Sequence, residues 1–146
     1  MPLYISPKAN LDHRSSTAQI SVLLINVNSL NGEFGKTADY IMEKDPDILA
    51  LEEINELWLR KLSEILEAYP YRKIVPRRDN FGIGLFSKIP VNNMEIKYYG
   101  SVEVPSVVAE YTFNQKQVTL LFTHPVPPAS KSYYHWRNEQ LTEIIS

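Results

Sequence analysis

The chain has 146 residues, of which 44% are hydrophobic and 22% are charged, and its formal net charge is −2. A chain of this length and composition favours one folded domain with its own core and excludes a largely disordered protein. The near-neutral charge gives little support to sequence-independent nucleic-acid binding, and the lack of cysteine excludes disulfide bonds and thiolate metal sites.

The first predicted segment is a leader or linker over residues 1–17, which contains two prolines and shows no hydrophobic period. The ordered domain is predicted over residues 18–146. It opens with the β-branched and apolar run QISVLLINVN at residues 19–28, which predicts a strand. Because side chains alternate along a strand, Asn26 and Asn28 lie on the same face.

Two predicted helices flank a second strand. The apolar stripe of the first helix comprises Phe34, Ala38, Ile41 and Met42. The second strand, within DPDILALEEIN at residues 45–55, is apolar until it meets Glu52 and Glu53. Asn55 is predicted to cap the second helix. The stripe of that helix comprises Trp58, Leu62, Ile65, Leu66 and Tyr69. The strand, helix, strand order predicts parallel pairing of the first two strands.

The rest of the chain predicts an antiparallel meander and a last helix. The strand candidates are YRKIVPR, FGIGLFSK, NMEIKYYG, SVVAEYTF and KQVTLLFTH. The helix is predicted to begin near Ser132, and its stripe comprises Tyr134, Arg137, Leu141, Ile144 and Ile145. The sequence therefore predicts an α/β (α+β) fold with a mixed, mostly antiparallel sheet flanked by helices. The chain stops within this amphipathic helix, whose apolar face still needs a partner.

Polar side chains end three of the predicted strands. Asn26 ends the first strand, Glu53 the second and His124 the last, each in phase with the aliphatic residues before it. These groups converge if the last strand runs beside the first two. A carboxylate at the end of a buried strand either reaches solvent or faces a cation. Strand alternation does not decide whether Glu52 or Glu53 is the buried one.

Four segments resemble, in this order and at these intervals, the N-terminal half of the endonuclease/exonuclease/phosphatase superfamily. They are LLINVNSLNG, PDILALEEI, FGIGLFSKIPV and VTLLFTHPVPP. The superfamily includes deoxyribonuclease I, abasic-site endonucleases, inositol-polyphosphate phosphatases and sphingomyelinases. The resemblance covers about residues 19–145. It implies half of a four-layer α/β/β/α sandwich, with the active site between the two halves of the complete domain.

The resemblance implies a role for five residues. Asn26 matches the asparagine that positions the scissile phosphate and the attacking water. Glu53 matches the glutamate that binds the catalytic cation, Mg²⁺ or Mn²⁺, and Asn28 lies where some relatives place a second metal-site residue. His124 matches a histidine that contacts the phosphate oxygens and helps to protonate the leaving group. Arg137 resembles an arginine that follows the HPxPP segment in bacterial members.

The sequence also departs from the pattern that the resemblance implies. The second half of the superfamily domain supplies an Asp-x-Asn strand and a terminal Asp-His pair, whereas no Asp follows Asp79 in this chain. We therefore expect a divalent-metal-dependent phosphodiester hydrolase of the nuclease or phosphatase type, of which this chain is the N-terminal half and inactive by itself. The alternative interpretation is a noncatalytic binding module that uses the same half-fold.

The expected partners follow from this interpretation. The substrate is a phosphate ester, whether a nucleic acid, a nucleotide or a phospholipid headgroup. The resemblance also implies that this half alone exposes an apolar sheet face, which predicts self-association, with exchange of the last helix as one route. The leader MPLYISP resembles the stretch after the membrane helices of a bacterial, membrane-anchored branch of the superfamily. This resemblance implies an upstream anchor and an extracytoplasmic site, with a cytoplasmic site as the alternative.

Two further features receive a structural interpretation from the sequence. The glycines of FGIG, at residues 81–84, predict close backbone packing, since no helix follows them to complete a phosphate loop. The basic cluster of Arg72, Lys73, Arg77 and Arg78 is interpreted as a solvated face.

Overall fold

The computed structural model describes residues 19–146, so the predicted leader at residues 1–17 lies outside the described residues. The strands are β1 (Val22–Asn26), β2 (Ile48–Glu52), β3 (Tyr71–Val75), β4 (Ile83–Ser87), β5 (Asn93–Tyr98), β6 (Pro105–Phe113) and β7 (Lys116–Thr123). The helices are α1 (Phe34–Lys44), α2 (Glu56–Lys61), α3 (Ser63–Leu66) and α4 (Lys131–Ile145). Within the described residues, no helix is long and apolar enough to cross a membrane.

The strands form two sheets rather than the single mixed sheet that the sequence predicts. The first sheet has the order β1-β2-β4-β3, in which β1 and β2 are parallel, as predicted, and the other pairs are antiparallel. The second sheet is the antiparallel meander β5-β6-β7. The reason is burial: β2 and β4 are buried on both faces, so the first sheet requires one layer on each side.

Each face of the first sheet contributes to a separate core. Leu49 and Leu51 of β2 pack with the buried residues of α1, α2 and α3. Ile48 and Ala50, on the opposite face, pack against the second sheet, where Phe122 of β7 joins them. Because side chains alternate, Thr123 lies on the outer face of the second sheet, where it contacts α4. The layer order is therefore helices, sheet, sheet, helix, which confirms the predicted fold class.

The helices agree with the sequence in part. Asn55 caps α2 as predicted, since its side chain accepts a hydrogen bond from Trp58 N at 3.0 Å. The predicted stripe from Trp58 to Tyr69 belongs to the core, although the single predicted helix is two short helices that meet at Leu62. Tyr69 lies beyond the end of the second of these.

Helix α4 departs further from its predicted pattern. It begins at Lys131, one residue before the predicted start, and Ser130 caps it. Only part of the predicted apolar stripe is covered: Arg137 and Ile144 are half-buried, whereas Leu141 is 39% and Ile145 is 84% exposed. Gln140 is the buried residue of this helix. A polar contact to the second sheet, rather than an apolar stripe, therefore sets the orientation of α4.

Candidate functional site

The first two strands place their ends side by side. The parallel strands β1 and β2 have equal lengths and start in register, with Val22 opposite Ile48. Their last residues, Asn26 and Glu52, therefore also lie opposite each other. Glu53 follows the last residue of β2 and has a φ of 61°, in the left-handed region. This turn of the backbone brings its carboxylate back to Asn26, whose Nδ2 donates to Glu53 Oε1 at 2.8 Å. The carboxylate is thereby held beside the end of β1.

The imidazole of His124 joins this pair from the second sheet. His124 follows the last residue of β7, and its Nδ1 lies 3.1 Å from Glu52 Oε2. Its Nε2 lies 3.5 Å from Glu53 Oε1. The two carboxylates, which strand alternation would place on opposite faces, therefore flank one imidazole. The left-handed backbone at Glu53 accounts for this arrangement, which the sequence left undecided.

The electrostatics of His124 follow from this geometry. Burial acts to lower the pKa of the imidazole, while the hydrogen bonds and charges of Glu52 and Glu53 act to raise it. The carboxylates prevail, and the pKa of His124 lies above its ordinary value of 6.5. Because Nδ1 donates to Glu52, the glutamate fixes the orientation of the ring and directs Nε2 towards Glu53.

These side chains line an open cleft of about 830 Å³, which we call the cleft. Asn28 also lines it, with a φ of 55° and a side-chain oxygen that accepts from Leu30 N at 3.2 Å. The backbone N–H of Asn28 donates to Asn26 Oδ1 at 2.9 Å. The loop after β1 therefore holds the Asn26 amide in place, so that its Nδ2 points to the carboxylate. Asn80, in the loop before β4, also lines the cleft.

The cleft offers few ligands for a metal ion. Within the described residues, no group of three or more His, Asp or Glu side chains is arranged to hold one. Glu53 Oε1 is engaged with Asn26 and lies near His124, whereas Oε2 forms no hydrogen bond or ion pair with a described residue. A single free carboxylate oxygen suits a hard cation that keeps most of its waters, as Mg²⁺ does. The donor set therefore fits such an ion at Glu53, and Asn28 supplies a further amide oxygen to the lining of the cleft.

Arg137 is not among the residues that line the cleft. Its guanidinium lies over the ring of Tyr134, 5.1 Å from the ring centroid, and its Nη2 donates to Asn138 Oδ1 at 3.3 Å. The structure thus brings Asn26, Asn28, Glu53 and His124 together and leaves Arg137 on α4. A role for Arg137 in the site stays a prediction.

A buried polar chain supports the strand that carries His124, and sequence reasoning missed it. Ser106 Oγ lies 2.8 Å from Thr123 Oγ1, and Gln140 Nε2 donates to the same oxygen at 3.1 Å. Gln140 is 2% exposed and is the helix residue against which Gly100 packs closely. Gln140 lies three residues after Arg137 and four before Ile144, so a polar residue on the same helix face as these two stripe residues was the available signal. The chain fixes α4 to β7 next to the imidazole.

The layer order and the cleft define a class of proteins, the two-sheet α/β sandwiches that carry polar residues at the strand ends. The sequence profile of the endonuclease/exonuclease/phosphatase family matches residues 23–145. The chain therefore belongs to the endonuclease/exonuclease/phosphatase family, and the resemblance found in the sequence is confirmed. No curated protein matched the sequence.

Solved structures of several relatives are similar to this fold. Humanized D. rerio TDP2 has a TM-score of 0.71 and 18% identity, over 86% of this chain and 58% of that chain. D. rerio TDP2 complexed with single strand DNA product has a TM-score of 0.72 and 17% identity, over 86% of this chain and 53% of that chain. The human Nocturnin catalytic domain with bound sulfate anion has a TM-score of 0.63 and 18% identity, over 86% of this chain and 57% of that chain. The chain spans little more than half the length of these structures.

Proposed function

We propose that this chain forms one side of the active site of a divalent-metal-dependent phosphodiester hydrolase. The observation that carries the proposal is the convergence of Asn26, Glu53 and His124, from three strand ends and two sheets, on one open cleft. Membership in a family of endonucleases, exonucleases and phosphatases supports the same reaction class. Hydrolysis of a phosphate ester needs groups that position the phosphate and stabilise charge, and these three residues can do so.

Each residue has a distinct part in the proposed reaction. Glu53 Oε2 would hold a hydrated Mg²⁺ or Mn²⁺, which supplies Lewis-acid polarisation of a phosphoryl oxygen when bound. Asn26 Nδ2 holds the carboxylate in the orientation that leaves Oε2 free. His124, with its raised pKa and with Nδ1 held by Glu52, would donate from Nε2 to a phosphate oxygen or to the leaving oxygen.

Metal binding to the 146-residue chain tests this proposal without requiring turnover. Mn²⁺ titration followed by electron paramagnetic resonance should detect one site, which Glu53→Gln weakens by at least about tenfold. Asn26→Ala should weaken the same site by about tenfold, because it removes the group that orients the carboxylate. Glu67→Gln, which changes an exposed glutamate outside the cleft, serves as the matched control. Equal Mn²⁺ affinity in Glu53→Gln and in the unsubstituted chain would refute the proposal.

We also propose that the described residues alone do not complete the catalytic apparatus. Beyond Glu52 and Glu53, no acidic side chain lines the cleft within the part of the chain that the structure describes. Glu52 is engaged with His124, so no free carboxylate is left to activate water. We therefore expect the purified chain to bind Mn²⁺ without hydrolysing bis(p-nitrophenyl) phosphate. Metal-dependent turnover that Glu53→Gln abolishes would show that the chain is complete as an enzyme.

A noncatalytic binding module is the second candidate function. The observation that favours it is the lack, within the described residues, of a cluster of three metal-ligating side chains. The same cleft would then bind a phosphate group without cleaving it. Binding of inorganic phosphate or sulfate that is independent of Mn²⁺ and unchanged in Glu53→Gln would favour this candidate over the hydrolase.

The substrate class is proposed only as a phosphate ester. One of the similar structures, D. rerio TDP2, contains a single strand DNA product, and human Nocturnin contains a sulfate, an oxyanion of similar shape to phosphate. The DNA complex supports a nucleic-acid substrate at a coarse level. A nucleic acid, a nucleotide and a phospholipid headgroup can each be tested as a competitor of Mn²⁺-dependent phosphate binding. The concentrations at which they compete would rank the three substrate classes.

A further inference from the structure

A second groove lies beside the cleft and has the opposite charge. It has a volume of about 520 Å³ and is lined by residues of the loop after β1, of α2 and of the loop between β3 and β4. Three arginines contribute to its lining, Arg60, Arg77 and Arg78. We call this the arginine groove. It unites Arg60 with two residues of the basic cluster that the sequence analysis interpreted as a solvated face, whereas Arg72 and Lys73 lie on β3 and do not line it.

Two of the three arginines are available to a ligand. Arg77 is engaged, because its guanidinium pairs with Asp79 and donates to the backbone oxygen of Glu103 at 2.9 Å. The side chains of Arg60 and Arg78 form no ion pair or hydrogen bond with any residue between positions 19 and 146. Glu56 is the single acidic residue among those that line the groove in this part of the chain. The groove therefore presents a local excess of positive charge on a chain whose net charge is −2.

The arginine groove adjoins the cleft across a ridge formed by the Ser29 and Asn80 side chains. Ser29 lines the groove and Asn80 lines the cleft, and Ser29 Oγ donates to Asn80 Oδ1. Asn55, which lines the groove two residues after Glu53, donates from Nδ2 to Ser29 O at 3.3 Å. A chain of linked phosphates that has one phosphate at Glu53 would cross this ridge to place the next ones at Arg60 and Arg78.

An apolar side chain lies on the rim of the groove. Leu30 is 91% exposed and lines the groove beside the ridge. An unpaired nucleobase has an apolar face that can rest on such a side chain, whereas the bases of a duplex are stacked on one another. The groove thus combines two arginine side chains that can bind the phosphates of a nucleic-acid backbone with an apolar side chain, Leu30, that can contact an unstacked base.

We propose that the arginine groove binds the phosphodiester backbone of a single-stranded nucleic acid next to the phosphate held in the cleft. The proposal rests on the proposed function in one respect, that the cleft takes a phosphate ester. It deepens that function, because it assigns a polynucleotide strand as the substrate class in preference to a mononucleotide or a lipid headgroup. Arg60 and Arg78 are the backbone contacts, and Leu30 contacts a base or sugar.

Binding of a labelled strand to the 146-residue chain tests the proposal. Fluorescence anisotropy would use a single-stranded oligothymidylate of about eight nucleotides in EDTA, so that the result does not depend on metal binding. The double variant Arg60→Ala/Arg78→Ala should bind about tenfold more weakly. The slope of log affinity against log salt concentration should fall in magnitude by about 1.4, since each lost phosphate contact on a single strand accounts for about 0.7.

The matched control is Arg72→Ala/Lys73→Ala, which removes the same charge from exposed positions of β3. Its affinity should stay within about twofold of the unsubstituted chain. Equal weakening in both double variants, or no weakening in either, would overturn the proposal. Tighter binding of a duplex of the same sequence would overturn the assignment to single strands. Because these measurements exclude metal, their failure is distinct from a failure of Mn²⁺ binding at Glu53.

Discussion

Glu53 combines a left-handed backbone with a carboxylate that contacts two other cleft residues. The left-handed region costs about 1–2 kcal/mol for a residue with a Cβ atom, and glycine avoids this cost. The strain is located where the carboxylate must turn back towards Asn26 and His124. At this position the cleft contacts need a carboxylate side chain, whereas the left-handed backbone favours glycine.

We expect Glu53→Gly to be more stable than Glu53→Ala by about 1 kcal/mol, because both variants lack the carboxylate and only glycine relieves the strain. Urea unfolding of the two variants measures this difference. The same pair at Glu52, within β2, should show the opposite order by about 0.5–1 kcal/mol, since glycine weakens an extended strand. Equal stability of the two Glu53 variants would show that the backbone there is unstrained.

Gly82 holds the loop that carries Glu53 against the loop that carries Asn80. Ile54 N donates to Gly82 O at 3.2 Å, and Arg77 N donates to Ile54 O at 3.1 Å. A Cβ atom at Gly82 would lie 1.8 Å from Ile54 O, which is backbone. The close packing that the sequence predicts for FGIG is therefore required at this glycine.

Gly82→Ala should destabilise the chain by about 3 kcal/mol, because backbone on both sides must shift to admit the methyl group. Gly35→Ala is the control, since a Cβ atom there has nothing within 4 Å and lies in α1. That substitution should stabilise the chain by about 0.5 kcal/mol. Thermal or urea unfolding distinguishes the two, and a folded Gly82→Ala variant with unchanged stability would contradict the close approach.

At the scale of elements, Tyr69 connects the end of α3 to the start of β2. It is 1% exposed, and its hydroxyl donates to Pro46 O at 3.2 Å. Burial, with smaller contributions from Asp45 and Asp47, raises the pKa of Tyr69 to about 12. The folded chain therefore favours the neutral phenol, and the helical layer depends on the protonated form of this residue.

Tyr69→Phe should cost about 1 kcal/mol at neutral pH, the usual net value of one hydrogen bond. Because the folded pKa lies above the unfolded value of about 10, the contribution of the phenol is complete below pH 10 and is lost as the pH rises through 12. The stability difference between the chain and the variant should therefore shrink over this interval. Urea unfolding at several alkaline pH values measures it.

At the scale of the whole molecule, β1 is an open edge of the first sheet. Within the described residues it pairs with β2 alone. Val22 is 48% and Leu24 is 40% exposed, on the face opposite the helical core that Leu23 and Ile25 join. An apolar face on an edge strand favours pairing with another chain.

We expect the 146-residue chain to self-associate at high concentration through this edge. Val22→Thr/Leu24→Thr should shift the population towards the monomer, as measured by size-exclusion chromatography with light scattering. Met42→Thr is the control, because Met42 is 57% exposed on α1, away from the edge. A monodisperse monomer of the unsubstituted chain at high concentration would contradict this prediction.

The sequence by itself determined most of the elements and, apart from α4, the apolar faces that bury them. The Asn55 cap and the Trp58 to Tyr69 stripe depend on neighbours that are close along the chain, and local patterns record such neighbours. The polar ends of the first, second and last strands were visible for the same reason. The parallel β1-β2 pair follows from the strand, helix, strand order.

The tertiary structure alone decided how these polar ends meet. His124 reaches Glu52 and Glu53 from a second sheet, and the left-handed turn at Glu53 lets both carboxylates face the imidazole. Arg60 and Arg78 likewise come together from a helix and a distant loop. Such contacts depend on how layers pack and on single backbone dihedral angles, and neither leaves a periodic trace in the sequence.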